Sequence, residues 1–126
     1  MEKRKRERKP KLPQGALKII KGRLGGKWIE KLDFTPGDVL MVSATSGVIT
    51  YQYQENGIER TAELVRFARQ NKLRLVQFRK QGHDYFIEIP SSCLKKSGIA
   101  PDEPTVVFYQ PGILTLKKLE PDQTGL

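Results

Sequence analysis

GGKWIEKLDFTPGDVLMVSATSGVITY, residues 25–51, is the stretch of sequence that decides the fold. In its first part, Trp28, Ile29 and Leu32 are spaced so that they share one face of about a turn and a half of helix. Asp33 stands where that helix should end, because aspartate enters the left-handed region at a lower cost than most residues. The start of the stretch therefore predicts a very short helix.

The second part of the stretch predicts a turn followed by a β-hairpin. Residues 35–38, TPGD, favour a tight turn, because the proline fixes φ and the glycine accepts a positive φ. Val39–Val42 and Val48–Tyr51 are strand-like, and Ser46-Gly47 between them fits a hairpin reversal.

The same pattern returns 65 residues later without a gap, over residues 86–116, FIEIPSSCLKKSGIAPDEPTVVFYQPGILTL. Ser91 or Ser92 can cap the second helix and Gly98 can end it. We interpret the pattern as an internal duplication. The matching positions are Ile29/Leu94, Lys31/Lys96, Pro36/Pro101, Asp38/Glu103, Val42/Val107, Gly47/Gly112, Val48/Ile113, Ile49/Leu114 and Thr50/Thr115.

The second copy resembles a known family. Ile-Glu-Ile-Pro, a short helix, Gly-Ile, Pro-Asp-Glu and Gly-Ile-Leu-Thr-Leu are similar to the second half of the SpoVT/AbrB swapped-hairpin domain, which AbrB transition-state regulators and MazE-type antitoxins share. Asp102 and Pro104 depart from that pattern, since the family usually has glycine and an aliphatic residue there.

The first copy, GKWIEKLDFTPGD with its later Gly-Val-Ile, looks more like the SymE branch of the same superfamily, which is described as RNA-cleaving toxins on an AbrB-like fold. In the superfamily, two such motifs interleave as a dimer. The resemblance therefore implies a mainly β fold with short helices: an AbrB-like swapped-hairpin β-barrel, formed here as an intrachain pseudo-dimer of two repeats.

Further strands and a helix are predicted in addition to the short helices and hairpins of these two motifs. LKIIKGRL, residues 17–24, and Arg74–Phe78 and Phe86–Ile89 are predicted strands, and Thr61–Gln70 is a predicted helix. Arg79–Gly82 is predicted to be a basic turn. The expected organisation is a disordered basic tail (1–15), a first AbrB/SymE-like repeat (16–54), a basic helical connector (55–73), a second AbrB-like repeat (74–119) and a short tail (120–126).

Length and composition limit the class of protein. A chain of 126 residues suits one compact domain or two small repeats that share a core. No apolar run approaches the roughly 20 residues of a membrane span, and the charged N-terminus does not resemble a signal peptide. Cys93 is the one cysteine, so no internal disulfide can form. We expect a cytoplasmic protein without a membrane partner.

The charge is the strongest functional signal in the composition. The chain carries 23 lysines and arginines against 14 acids, a formal net charge of +9. The excess is concentrated at the N-terminus and in residues 55–81, while the two motifs are close to neutral. A basic tail and a basic middle around near-neutral β-modules predict a polyanionic partner.

The core is predicted from the apolar positions of both copies. Trp28 is expected to be a buried anchor on the helix face shared with Leu32, rather than a stacking residue for a ligand. The full set of core candidates is Trp28, Ile29, Leu32, Phe34, Val39, Met41, Ile49, Leu94, Ile99, Val106 and Leu114.

Residues suited to catalysis are scarce. His83 is the single histidine and would need a second group, Lys80 or Asp84, to cleave RNA as a general base. Cys93 aligns with Trp28 and is expected to be buried and inert. Asp38 and Glu103 are expected to bond nearby backbone amides. No metal-ligand spacing, Gly-rich phosphate loop or cofactor motif is present in the sequence, which favours binding over catalysis.

We therefore expect a nucleic-acid-binding protein, foremost a DNA-binding AbrB-like transcriptional regulator. A SymE-like RNA-binding toxin with endoribonuclease activity and an antitoxin-like protein-interaction module remain open, as does a homodimer or a toxin or antitoxin partner. The predicted nucleic-acid-binding residues are Lys18, Lys21, Arg23, Arg66, Arg69, Arg74, Arg79, Lys80 and Gln81, with Lys3, Arg4, Lys5, Arg6, Arg8, Lys9 and Lys11 of the tail.

Overall fold

The computed structural model of the chain describes residues 22–25, 28–29, 32–100 and 105–118. Eight strands and two helices lie within these ranges. In chain order they are β1 (Arg23–Gly25), β2 (Val39–Thr45), β3 (Val48–Gln54), α1 (Thr61–Gln70), β4 (Arg74–Gln77), β5 (Arg79–Gln81), β6 (Asp84–Glu88), α2 (Ser91–Ser97), β7 (Thr105–Gln110) and β8 (Ile113–Lys118).

The fold is mainly β, as predicted, and its strands form two antiparallel sheets. The large sheet has five strands in the order β4-β2-β3-β8-β7, and the small sheet has three in the order β1-β6-β5. The predicted closed barrel is not observed, because neither sheet closes on itself in the described part of the chain. The large sheet ends at β4 and β7, and the small one ends at β1 and β5.

Both sheets pair the two repeats at matching positions. At the centre of the large sheet Thr50 lies opposite Thr115, and in the small sheet Arg23 lies opposite Glu88. Each of these pairs is separated by the 65 residues that relate the two copies. On either side of such a pair, the sequence numbers of antiparallel partners change by equal and opposite steps. Each repeat therefore pairs with the other in the same register. The two repeats therefore meet with a local two-fold relation in both sheets.

The main core lies between the two sheets. Leu24 and Ile87 of the small sheet face Leu40, Tyr51 and their neighbours on the large one, and all four are completely buried. The phenol of Tyr51 donates a hydrogen bond of 2.9 Å to the backbone carbonyl of Glu88, which ties the large sheet to the small one. Phe78 closes the end of this core, with its ring stacked on Tyr85 at 5.7 Å.

A second, smaller core lies on the other face of the large sheet, under α1. Leu64 and Ala68, one helical turn apart, cover Val39 and Met41 of β2. The helix occupies the predicted residues, but its buried face is Leu64 and Ala68, and Val65 is exposed. β2 is consequently buried on both faces for most of its length.

Three of the predicted core residues are only half-buried, which corrects the sequence interpretation. Trp28 and Leu94 pack against the edge of the main core, and the indole Nε1 of Trp28 is buried without a hydrogen-bond partner in the structure. Val106 lies on the outer face of β7, which no described helix covers. The buried candidates are Ile29, Leu32, Phe34, Val39, Met41, Ile49, Ile99 and Leu114.

Several predicted elements have different limits in the structure. Trp28 and Ile29 form part of a 3₁₀ turn where an α-helix was predicted. Arg79–Gln81, predicted to be part of a turn, is a strand, because its backbone pairs with β6 and the reversal comes at Gly82-His83. Of the predicted first strand, residues 22–24 lie within the described ranges, and Arg23 and Leu24 belong to β1. No helix in the described ranges is long and apolar enough to cross a membrane.

Candidate nucleic-acid interface

One segment of the chain, Leu64–His83, contains no acidic residue; we call it the acid-free segment. It holds six cations, and all six side chains are exposed: Arg66, Arg69, Lys72, Arg74, Arg79 and Lys80. The one ion pair between described residues, Arg60–Glu63 at 3.0 Å, lies just before the segment. The segment therefore presents positive charge to solvent with no carboxylate inside it.

The fold brings three of these cations to one groove, which we call the α1–α2 groove. It has a volume of about 510 Å³ and lies between the end of α1, the start of β4, and α2. Arg69, Lys72 and Arg74 line it from the acid-free segment, and Lys96 lines it from α2. The other lining residues are uncharged: Ala44, Ala68, Leu73, Ser92 and Cys93.

Hydrogen bonds hold the walls of the α1–α2 groove in place. The Nε of Arg74 donates to the Oγ of Ser92 at 2.9 Å, which joins β4 to α2 and orients the guanidinium. Lys72 has a φ of +57°, and the following amide of Leu73 donates to the carbonyl of Ala68 at 2.8 Å. This closes the C-terminal turn of α1 and fixes the backbone from which Lys72 projects.

Arg74 also borders a second groove of about 560 Å³, which lies on the side of β1 and β6. Arg23 of β1 lines this groove too, but Glu88 of β6 also lines it and contributes a carboxylate. The second groove is therefore less positive than the α1–α2 groove. A polyanion would favour the groove that has four cations and no acid among its lining residues.

The hairpin β5–β6 carries three of the predicted contacts, Arg79, Lys80 and Gln81, and it separates them. Because side chains alternate along a strand, Arg79 and Gln81 point to one face of the small sheet and Lys80 to the other. Lys80 extends over the ring of Tyr85, with its Nζ 5.3 Å from the ring centre. Arg79 and Lys80 therefore face different sides of the hairpin and do not form one patch.

The outer face of the small sheet is electrically mixed. Arg23 shares this face with Arg79, and its guanidinium lies 4.4 Å from the ring centre of Phe86. The register also places Asp84 and Glu88 on the same face. Two arginines and two carboxylates nearly cancel there, so this face can discriminate between partners better than it can attract a polyanion.

The other predicted contacts fall into two groups. Arg66 lies about 200° around α1 from Leu64, with 100° for each residue, so it points away from the sheet and does not line the α1–α2 groove. Lys18, Lys21 and the basic residues of the tail lie outside the described residues.

The sequence prediction of the site omitted Lys72 and Lys96, which both line the α1–α2 groove. Lys72 could have been included from the charge of its stretch, since it follows α1 directly. Lys96 had no such signal, because the second motif is close to neutral and only the tertiary fold brings α2 to α1.

Cys93 lies in the wall of the α1–α2 groove and is buried, as predicted. Burial raises the pKa of its thiol, and the hydrogen bond with Ser92 and the charges of Arg74 and Lys96 lower it in part. The thiol is therefore protonated at neutral pH and a poor nucleophile.

The residues considered for catalysis do not assemble into a reaction centre in the described structure. His83 is exposed at the tip of the β5–β6 hairpin. Asp38 accepts a hydrogen bond of 2.8 Å from the amide of Thr35, which confirms its predicted role in the turn, and Glu103 lies outside the described residues. Within the described ranges, no three His, Cys, Asp or Glu side chains lie close enough together to hold a metal ion.

No protein-family model matches the chain, and no curated protein and no solved structure matches it at a significant level.

Proposed function

We propose that the protein binds nucleic acid through the phosphate backbone, and that it acts as a DNA-binding regulator of the AbrB-like class. The observation that carries the proposal is the acid-free segment, whose six cations are all exposed. Phosphate contacts supply most of the sequence-independent affinity of such proteins, and each contact adds about 0.9 to the slope of log K against log salt concentration.

The internal pairing supports the class of regulator. We propose that the chain is an intrachain pseudo-dimer of two swapped-hairpin repeats, with two open sheets around the core instead of a closed barrel. Thr50–Thr115 and Arg23–Glu88 support this proposal, because matching residues of two repeats face each other only at a two-fold position. A two-fold scaffold suits a duplex, which presents its two strands with the same symmetry.

Base recognition in this proposal belongs to the β5–β6 hairpin. A two-stranded ribbon fits the major groove of DNA, where arginine pairs with guanine and glutamine pairs with adenine. Arg79 and Gln81 lie on the same outer face of that ribbon, two residues apart. Because this face is nearly neutral, it adds selectivity, and the exposed cations of the acid-free segment and the N-terminal tail add affinity.

The test is fluorescence anisotropy of the full chain with two unrelated 20-base-pair duplexes and one single-stranded RNA, at salt concentrations from about 50 to 200 mM. We expect binding to all three, a preference for one duplex, and a steep loss of affinity with salt. Absence of binding at the lowest salt concentration would exclude the function. Cleavage of the RNA, read on a denaturing gel from the same samples, would favour the RNA-cleaving toxin over the DNA-binding regulator.

Three variants test which part of the surface supplies affinity and which part supplies the preference between sequences. Deletion of residues 2–11 should weaken all three complexes alike and flatten the salt slope, because we expect the basic residues of the tail to contact phosphate without reading sequence. Arg79→Ala with Gln81→Ala should instead remove the preference between duplexes, at about 1–3 kcal/mol per lost base contact. Lys80→Ala is the matched control on the same strand and should leave the preference intact.

A further inference from the structure

The α1–α2 groove differs from an ordinary basic surface because it is concave and its charges are concentrated. Four cations from α1, the turn after it, β4 and α2 line a volume of about 510 Å³, and no lining residue is acidic. Volumes of this size are typical of sites for small ligands or single groups. Four positive charges in one groove repel each other, so the most stabilising occupant is a compact group with more than one negative charge.

The phosphates of a duplex do not provide such a group. They lie on the outside of a rod, each carries one charge, and they contact exposed cations on an open surface. A terminal phosphate is a monoester with a charge of about −1.5 to −2 at pH 7 and three acceptor oxygens. A strand end can also enter a groove that the body of a duplex cannot.

One of the donors that line the groove is already held by a hydrogen bond. Arg74 uses its Nε in the hydrogen bond with Ser92, so the two terminal nitrogens of the same guanidinium remain to form a paired contact with phosphate oxygens. Arg69, Lys72 and Lys96 can then neutralise the remaining charge from the other sides of the groove. An arginine fixed in this way loses little side-chain entropy when it binds.

We propose that the α1–α2 groove binds the terminal phosphate of a nucleic-acid strand. The inference rests on the proposed function and narrows it: the protein recognises phosphorylated strand ends in addition to duplex backbone.

The test compares single-stranded 12-nucleotide DNAs that differ only at one end, by anisotropy with the full chain. One pair carries a 5′-phosphate or a 5′-hydroxyl and is labelled at the 3′ end, and the second pair is the reverse. We expect the wild-type protein to bind at least one phosphorylated end about tenfold more tightly than its hydroxyl counterpart. Inorganic phosphate should compete with that end selectively.

A matched pair of variants separates the groove from general charge. Arg69→Gln with Lys96→Gln removes one cation from each wall and should reduce the ratio between phosphorylated and unphosphorylated ends to about one. Arg66→Gln with Lys95→Gln removes the same charge from the same two helices but outside the groove. This control should weaken all DNAs equally and keep the ratio, and thermal melting of both variants checks that they are folded.

The outcomes distinguish the inference from the function on which it rests. Equal binding of phosphorylated and hydroxyl ends by the wild type would overturn the inference and leave nucleic-acid binding intact. Loss of the ratio in both variants would show a general charge effect and would also overturn it. Tight binding of a free mononucleotide, equal to that of the phosphorylated strand, would assign the groove to a small ligand instead. No binding of any DNA would overturn both proposals.

Discussion

The two repeats of this chain form similar hairpins but have different surroundings. In the first, β2–β3, the outer face is covered by α1 and the edge is extended by β4. In the second, β7–β8, β7 is the edge of the sheet and Phe108 on its outer face is 51% exposed. The connector between the repeats therefore does two things, since it covers one hairpin and also contains the first half of the acid-free segment.

The difference shows how a repeated structural unit can have a candidate site on one side only. The hairpins and the core between the sheets occur in both repeats, whereas the α1–α2 groove occurs once, where the end of α1 and the residues after it line a cavity together with α2. The same repeat position consequently has a different energetic role in each half. Four comparisons between matching or neighbouring positions test this view.

The largest difference is expected at Met41 and Val106, which are matching positions of β2 and β7. Met41 is buried under α1, so Met41→Ala should lower the free energy of unfolding by about 2–4 kcal/mol. Val106 is only half-buried, and Val106→Ala should cost about 1 kcal/mol or less. Urea denaturation of both variants measures the two values. Equal losses would mean that α1 adds no burial to the first repeat.

The hairpin glycines should behave alike, because both turns need the same backbone conformation. Gly47 and Gly112 have φ values of +77° and +83°. Alanine at either position should destabilise the protein by about 1–2 kcal/mol through strain in the left-handed region. Thermal or urea unfolding of the two variants should give losses that agree within about 0.5 kcal/mol. A loss at one position only would break the correspondence between the repeats.

Tyr51 and Leu116, which also match, should differ in their response to alkali. Burial raises the pKa of the Tyr51 phenol well above its ordinary value, and nearby Cys93 and Glu88 raise it further. In the unfolded chain the phenol ionises near pH 10, while in the folded protein it stays protonated. The unfolded state then binds fewer protons, so stability is full below about pH 10 and falls as the pH rises above it.

Tyr51→Phe is the variant that isolates this effect. At pH 7 it should cost about 1 kcal/mol, because the hydrogen bond to the carbonyl of Glu88 is lost. Between pH 10 and 11 its stability should fall less steeply than that of the wild type, as measured by urea denaturation at each pH. Parallel pH curves for the two proteins would contradict the assignment. Tyr53, which is exposed, provides the control substitution Tyr53→Phe.

The smallest effect is expected at Phe108, whose match in the first repeat is Ser43. Because Phe108 is half exposed on an uncovered face, Phe108→Thr should change the free energy of unfolding by about 0.5 kcal/mol or less. Thermal unfolding would reveal a larger loss if another part of the chain covered this face.

Local patterns accounted for much of the fold. The strands β2, β3, β7 and β8, the helix α1 and the repeat offset followed from turn residues and apolar spacing, because these features depend on neighbours in the chain. Trp28 was misjudged because its motif places it on a helix face, whereas the structure has a 3₁₀ turn at the edge of the core. Burial at an edge depends on distant elements, which local spacing does not report.

The candidate site was less accessible to sequence reasoning. Charge patterning indicates the basic middle of the chain. It does not show that Arg69 lines the α1–α2 groove while Arg66 does not, or that Lys96 also lines the groove. The sequence predicts a turn at residues 79–82, whereas Arg79–Gln81 is a strand because it pairs with β6. Both features arise from long-range contacts.

The Thr50–Thr115 pair has a consequence for how the protein is made. β2, β3, α1 and β4 lie within residues 39–77 and can assemble from local contacts, but β3 receives its second neighbour only when β8 has been synthesised. Until then one edge of β3, VITYQYQ, has no partner from β8 and no charged side chain to discourage wrong pairing. Contacts that span 65 residues also slow folding, because loop closure precedes their gain. The central strand pair therefore sets the interval in which the new chain is most prone to aggregate.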